Sequence, residues 1–538
     1  MNGVLLVVAV LALLVAGVAR RQGLSAPLLL VVVGLAASQV PGLGAVTLDP
    51  NLVLFVVLPP LLYSAALESS YIVLRRNRRA IGLLAVVLPL LTTLVVGWVA
   101  WLTVPQLPFA AALVLGAVVA PPDAVSATAV GRRLGLPRRI MTLLGGESLL
   151  NDATALTAYR VALAAAVGTG ATLVSGVVSF AVAAIGGVAV GLAVGVVVAR
   201  VRRRLDDPVL ESAIGLVVPF GAYLAAEQLH LPGTPSDAHG SGVLAVVAAG
   251  LYLGHHSTTS GYATRLQDTA VWKAADVVLE SFVFLLIGLQ LPAVLEGLQG
   301  RSAATLLGAS VAVLAATVLI RLLWMFPATY LPRLLSAEIR AREPAPPLGG
   351  VFVVAWAGMR GVVSLAAAFA IPLTTLSGSA FPGRAEILFL TFVVVVGTLL
   401  LHGLTLPWVI GRLGVRADAQ AQADAVAEAA AHQEAATVSI TRLDDLLADG
   451  GASVVHDQAG DVLRGWAQRR SNAAWERLGR DDGELGESPA AAFRRLRREM
   501  LAAEREVLIA HRDADRIDDE VLRRMLRELD LEEAMLMR

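Results

Sequence analysis

Between residues 3 and 411 the chain is a succession of long apolar runs separated by short polar breaks. The runs lie near 3–19, 24–40, 50–68, 80–104, 109–131, 139–167 and 171–200. They continue near 207–229, 239–254, 270–294, 303–330, 347–376 and 384–411, with 239–254 the weakest. A bilayer core needs about 20 apolar residues per helix, so the pattern predicts an all-α polytopic membrane protein of about thirteen transmembrane helices.

The breaks alternate in charge. Arg20 and Arg21 follow the first run, Arg75, Arg76, Arg78 and Arg79 the third, and Arg132, Arg133, Arg138 and Arg139 the fifth. Arg202, Arg203 and Arg204 follow the seventh, Arg265 and Lys273 the ninth, and Arg333, Arg340 and Arg342 the eleventh; the even-numbered breaks hold only Arg301 and Arg384. A span missed or invented midway would scramble this alternation downstream. Basic residues collect on the cytoplasmic side, so the N-terminus is expected outside and the C-terminus in the cytoplasm. Met1 to Val18 has no basic residue ahead of its apolar run and no convincing cleavage site, and reads as a retained first helix rather than a signal peptide.

Beyond the last run the material changes. Residues 413–538 are rich in Ala, Arg, Asp and Glu, and Leu501, Val507, Leu508, Val521, Leu522, Met525, Leu526 and Leu529 recur at helical spacing. The stretches 449–460 and 481–488 read as breaks. A transmembrane domain of residues 1–412 is thus expected to carry a cytoplasmic helical tail, serving regulation or dimer contact or simply solvated. Composition agrees: 56% of residues are hydrophobic and 16% charged, and the mean hydropathy is +0.71, outside the range of soluble domains. Lys plus Arg and Asp plus Glu balance at 43 each, so bulk charge implies no partner. Cysteine is absent, which excludes disulfides and thiolate metal sites. No HExxH, P-loop, GxSxG or basic–aromatic nucleic-acid pattern occurs, so neither an enzyme, a cofactor nor a nucleic-acid partner is expected.

Candidate chemistry lies inside the apolar runs. Gly145-Gly146-Glu147-Ser148-Leu149-Leu150-Asn151-Asp152 places two carboxylates, an amide and a hydroxyl in the run 139–167. Ionisable groups at membrane depth cost about 2.5–3.5 kcal/mol each, and such groups mark ion or proton paths. In a helix Glu147 and Asn151 are i, i+4, as are Ser148 and Asp152, and one interior-facing surface can hold all four. The glycines allow close helix approach. The plain structural reading is an interhelical hydrogen-bond cluster, for which Ser and Thr would serve at lower cost.

In the preceding run, Pro121 and Pro122 remove two amide donors just before Asp123, which predicts a broken helix. Broken backbone at that depth belongs inside protein or beside a watery cavity, and its half-helix ends attract ions. Asp123 is placed to neutralise such an end or to help ligate a cation. In the second half, Gly358-Met359-Arg360-Gly361 puts a guanidinium in the membrane, where it needs an anion. Glu147 is the candidate partner and Asp123 the second choice, which would leave Asp152 as the unpaired carboxylate free to exchange ligands. Asp276 and Glu280 share a helix face that either lines a cytoplasmic entrance or is merely solvated. Arg160 requires a partner that the sequence does not name. His255 and His256 read as an inert exposed pair, and His230, His239 and Asp237 as a weak metal candidate.

Together these residues resemble the monovalent cation/proton antiporter-1 family, bacterial sodium/proton antiporters related to eukaryotic sodium/proton exchangers. The blocks Gly146 to Asp152, Pro121 to Val125 and Gly358 to Gly361 match it in order and spacing, and the resemblance covers roughly residues 1–412. It implies inverted repeats with crossed broken helices, broken here at Pro121 and Pro122 and at Gly358 and Gly361, and a homodimer. It implies that Asp152 binds a cation or a proton in turn, that Asn151 steadies the site, that Ser148 supplies a hydroxyl ligand, and that Glu147 and Arg360 form an ion pair. Many relatives have Thr-Asp-Pro where this chain has Pro122-Asp123-Ala124, so a threonine ligand is missing and backbone carbonyls or water would replace it.

The expected activity is exchange of Na⁺, Li⁺ or K⁺ for H⁺ by competition for Asp152, with Ser148 and Asp123 as further oxygen ligands suited to a hard monovalent cation. One titrating carboxylate beside Asn151 suggests one proton per cation, hence electroneutral exchange. The alternatives are a K⁺-preferring antiporter, a gated cation channel, and an ion sensor signalling through the tail. Deleting the tail separates the last of these, because a transporter core keeps its activity.

Overall fold

The computed structural model describes residues 2–40, 52–168, 173–205, 207–229, 239–259, 261–298, 300–343, 345–415, 418–449, 454–476, 489–514, 516 and 519–536. Helix lies in each of the predicted runs. In chain order these are α1 (Asn2–Gln22), α2 (Ala26–Ala37), α3 (Leu58–Glu68), α4 (Leu88–Thr103), α5 (Phe109–Val119), α6 (Ala124–Arg133), α7 (Arg138–Val167) and α8 (Leu173–Arg202). There follow α9 (Pro208–Glu227), α10 (Gly242–His256), α11 (Tyr262–Leu289), α12 (Ala303–Leu335), α13 (Leu348–Trp356), α14 (Val362–Phe369) and α15 (Arg384–Leu413). Among the described residues seven helical stretches are long and apolar enough to cross a bilayer, and the weakest run, Gly242–His256, is one of the shorter apolar helices.

Proline sets much of the local geometry. α3 and α4 each begin with proline in the first turn, and each is entered through a π-wound turn, Leu52–Val57 and Leu83–Val87. A proline lacks its amide and pushes away the carbonyl four residues back, so one wider turn absorbs the mismatch. Pro121 and Pro122 go further: helix stops at Val119 and resumes at Ala124. The second interruption, Ala357 to Gly361, separates α13 from α14 without a proline.

Packing distinguishes lipid-facing helices from central ones. α12 exposes Leu307 and Leu323 while burying Val313 and Arg321, a one-sided pattern suited to a hydrocarbon neighbour. α2 and α11 cross where Gly34 meets Gly288; a Cβ on either would strike the other helix's backbone. A large apolar cluster that includes Leu285, Ile287, Val353, Met359 and Leu399 surrounds the second break.

Residues 417–538 form a separate compact unit. It contains α16 (Asp418–Asp449), α17 (Val454–Glu476), α18 (Pro489–Asp513) and α19 (Asp519–Leu536). Of the breaks expected over 449–460 and 481–488, Asp449 and residues 454–460 are helical, and 450–453 and 481–488 lie outside the described residues. α18 and α19 bury Leu501 and Leu522 and are tied by Arg497 to Glu532 and Arg505 to Glu533. The Arg497 guanidinium holds the Glu532 carboxyl below the usual range.

Candidate functional site

The two interruptions cross. The Asp123 amide donates to the Met359 carbonyl at 2.7 Å, so unpaired backbone of one break satisfies the other. Four half-helix ends meet there, and charge is matched to each. The carbonyl end of α5 is capped by Arg360, whose Nε donates to Val119 O at 2.8 Å. The carbonyl end of α13 is capped by Arg321, whose Nε and Nη2 donate to Ala355 O and Val354 O, each at 3.1 Å. The amide ends of α6 and α14 are faced by Asp123, which precedes α6 and whose carboxyl lies against Gly361 at the start of α14. A guanidinium at a carbonyl end and a carboxylate at an amide end are the signs the helix dipole favours. Gly361 is required by this contact: a Cβ there would overlap the Asp123 carboxyl.

This arrangement corrects the expected ion pair. Glu147 is bound not by Arg360 but by Arg321, in a two-pronged contact of Nη1 with Oε1 and of Nη2 with Oε2, the latter at 2.8 Å. Both side chains are only 2% exposed. Arg360 is spent on backbone, donating from Nη1 to Gly358 O at 2.6 Å as well as to Val119, while its amide donates to Thr398 Oγ1 at 3.0 Å. Sequence reading missed Arg321, although a single arginine within the run 303–330 carries the same signal that singled out Arg360.

α7 presents two faces rather than one. Glu147 and Asn151 point into packed protein; Asn151 is fully buried, and its Nδ2 donates to Pro122 O at 2.8 Å, tying α7 to the first break. Ser148 and Asp152 instead line a cavity of about 1160 Å³, together with Pro121, Asp123, Gly361 and Ser364. Gly145 and Gly146 both border the same cavity; a Cβ on Gly145 would meet nothing, whereas one on Gly146 would strike Ile81 and Leu74. The outer wall carries Asp276 and Glu280, with Ser64 donating to Asp276 Oδ2 at 2.6 Å, so these carboxylates border an entrance. Arg20, Arg132 and Lys273 border it too. They come from three breaks that the charge alternation assigned to one side, and the structure brings them to one cavity mouth.

Two other candidates resolve differently. Arg160 meets Glu227 through Nη2 at 2.9 and 3.1 Å, and His239 lies 3.2 Å from the same carboxylate. His239 thus lies beside the Arg160–Glu227 ion pair, while His230 and Asp237 lie outside the described residues. The Tyr252 ring lies against His256 in a tilted contact, and His256 meets His255 edge-on.

Crossed broken helices held inside a many-helix bundle, with a buried carboxylate on a large cavity, define a membrane transporter. The chain belongs to the sodium/hydrogen exchanger family, whose transmembrane domain it matches over residues 6–411. It is 32% identical to an uncharacterized Na⁺/H⁺ exchanger of Mycobacterium tuberculosis over 99% of this chain and 96% of that one. It is 30% identical to a sodium, potassium, lithium and rubidium/H⁺ antiporter of Bacillus subtilis over 71% of this chain and 57% of the relative. Its fold is that of the sodium proton antiporter of Methanocaldococcus jannaschii at pH 8, with a TM-score of 0.61 at 19% identity, covering 77% of this chain and 98% of that one.

Proposed function

We propose that this protein is a secondary antiporter exchanging a monovalent cation, Na⁺ first and Li⁺ or K⁺ as further substrates, for protons by competition at Asp152. The observation that carries this reading is the charge balance around the crossing. Two buried guanidiniums, Arg321 and Arg360, are set among three carboxylates, Glu147, Asp123 and Asp152. One negative charge is left over, and Asp152 is the carboxylate that borders the cavity from α7. A proton or one dehydrated cation neutralises it, and either loaded form crosses an apolar barrier more cheaply than the empty, ionised one. Ser148, one turn before Asp152, and Asp123 supply further hard oxygen atoms. Asn151 positions Asp152 through Pro122, and the Glu147–Arg321 pair with Arg360 holds the crossing rigid.

One titrating group per cycle makes the exchange electroneutral. On the positive-inside rule the cavity faces the cytoplasm, the N-terminus lies outside the cell membrane and the tail inside. The protein works as a homodimer without a cofactor.

The test is the apparent KM for Na⁺ in proteoliposomes carrying an internal pH dye. Competition requires KM to rise as pH falls while the rate at saturating Na⁺ is retained, with no response to an imposed membrane potential. A KM independent of pH, or a rate set by the potential, contradicts single-site electroneutral exchange. Flux without a counter-gradient favours the channel reading.

A further inference from the structure

Resting on the antiport reading, we infer that the Ser364 hydroxyl is a ligand of the transported cation, supplied by the second broken helix. Buried hydroxyls in this bundle commonly return their hydrogen to their own helix, as Thr92 does to Leu88 O, Thr317 to Val313 O and Ser310 to Leu306 O. Ser364 does not. It is 1% exposed, and its Oγ has no hydrogen-bond partner. A buried hydroxyl without a partner calls for a reason. Tyr63, Tyr159, Ser212 and Thr391 also carry one, but of these five only Ser364 borders the cavity that Asp152 lines.

Its position supplies one. Gly361 and Ser364 are three residues apart at the start of α14 and share a face. The Gly361 end of that face lies against the Asp123 carboxyl. Ser364, Gly361, Asp123, Ser148 and Asp152 all border one cavity. Oxygen atoms from Asp152 and Ser148 on α7 and from Asp123 at the first break reach a cation from two elements. Ser364 adds a third, and a hard cation stripped of water takes several oxygen ligands. Residue 122, being proline, offers no hydroxyl; the cavity wall carries Ser64, Ser69, Ser70, Thr128, Thr142, Ser148 and Ser364, of which Ser364 is the one supplied by the second broken helix. A cation held this way bridges α7 and α14, whereas a proton on Asp152 needs no contact with Ser364. Ser364 therefore acts on the cation half of the cycle.

The full-length chain with Ser364→Ala, Ser364→Thr and Ser364→Cys tests this in two ways: pH-dye exchange in proteoliposomes, and Na⁺-dependent thermal stabilisation of the purified protein. Ser364→Ala should raise the apparent KM for Na⁺ about tenfold, with the effect falling on KM rather than on the maximal rate. It should also lose most of the Na⁺-dependent stabilisation. Ser364→Thr keeps the hydroxyl and should stay close to wild type. Ser364→Cys keeps the shape but offers soft sulfur, and should resemble Ser364→Ala even if the alanine variant does not fold. If the wild type exchanges Na⁺ for H⁺ and the Ala and Cys variants match its KM, the ligand assignment is overturned. If the wild type moves no protons, the antiport reading falls. The stabilisation measurement still decides Ser364: equal responses of wild type and the Ala and Cys variants to Na⁺ overturn it.

Discussion

Glu147 and Asp152 are carboxylates five residues apart on one helix, both buried, and their surroundings are opposite. Glu147 is locked by Arg321 and lies off the cavity. Asp152 lies on the cavity beside Ser148. Burial alone therefore does not tell the two carboxylates apart. The difference comes from what each face of α7 meets: a guanidinium that also caps the carbonyl end of α13, or an open route to the arginine-rich side. A fixed charge holds the framework, and a charge without a fixed guanidinium can be neutralised by something mobile.

The comparison can be broken first at Arg321. Replacing it with Met leaves Glu147 as an uncompensated buried charge and uncaps α13, an expected loss of about 3–5 kcal/mol in detergent unfolding. Adding Glu147→Gln should recover most of that loss. A double-mutant cycle in which Glu147→Gln instead rescues Arg360→Met would return the pair to Arg360. The next effect is at Asn151. Asn151→Ala strands the Pro122 carbonyl, and a cost of about 1–3 kcal/mol is expected, with weakened exchange because the first break is no longer tied to α7. A variant as stable and as active as wild type would remove Asn151 from the framework. The smallest effect is at Arg160, whose pair with Glu227 is partly exposed. Arg160→Ala should cost about 0.2–1 kcal/mol and leave the apparent KM for Na⁺ unchanged. A shift in KM would extend the cation path to that end of the molecule.

Much of this was legible in the sequence, for reasons that can be named. Apolar runs and alternating arginines located the helices because bilayer thickness and charge placement are local constraints. Pro121 and Pro122 announced the first break, since two adjacent missing amides weaken a helix at that point, although Pro59 and Pro60 are absorbed in the first turn of α3. The spacing of Ser148 and Asp152 put them on one face, and the cavity lies there. The partner of Glu147 was not legible. It depends on which of two arginines, 39 positions apart in the chain (321 and 360), the crossing of nonconsecutive helices brings to α7. The half-helix carbonyls compete for the same guanidiniums, and Arg360 goes to Val119 and Gly358. The division of α7 into a cavity face and a packed face was likewise a property of its neighbours. So was the idle hydroxyl of Ser364, which no local spacing could reveal.

The measurement closest to the central claim is proton movement after a Na⁺ pulse in proteoliposomes of wild type and Asp152→Asn, with thermal unfolding of both proteins measured alongside. The account predicts a pH shift in wild type only, and a variant at least as stable as wild type, because it loses a buried charge that no guanidinium compensates. Na⁺-driven proton movement retained in folded Asp152→Asn protein would contradict it.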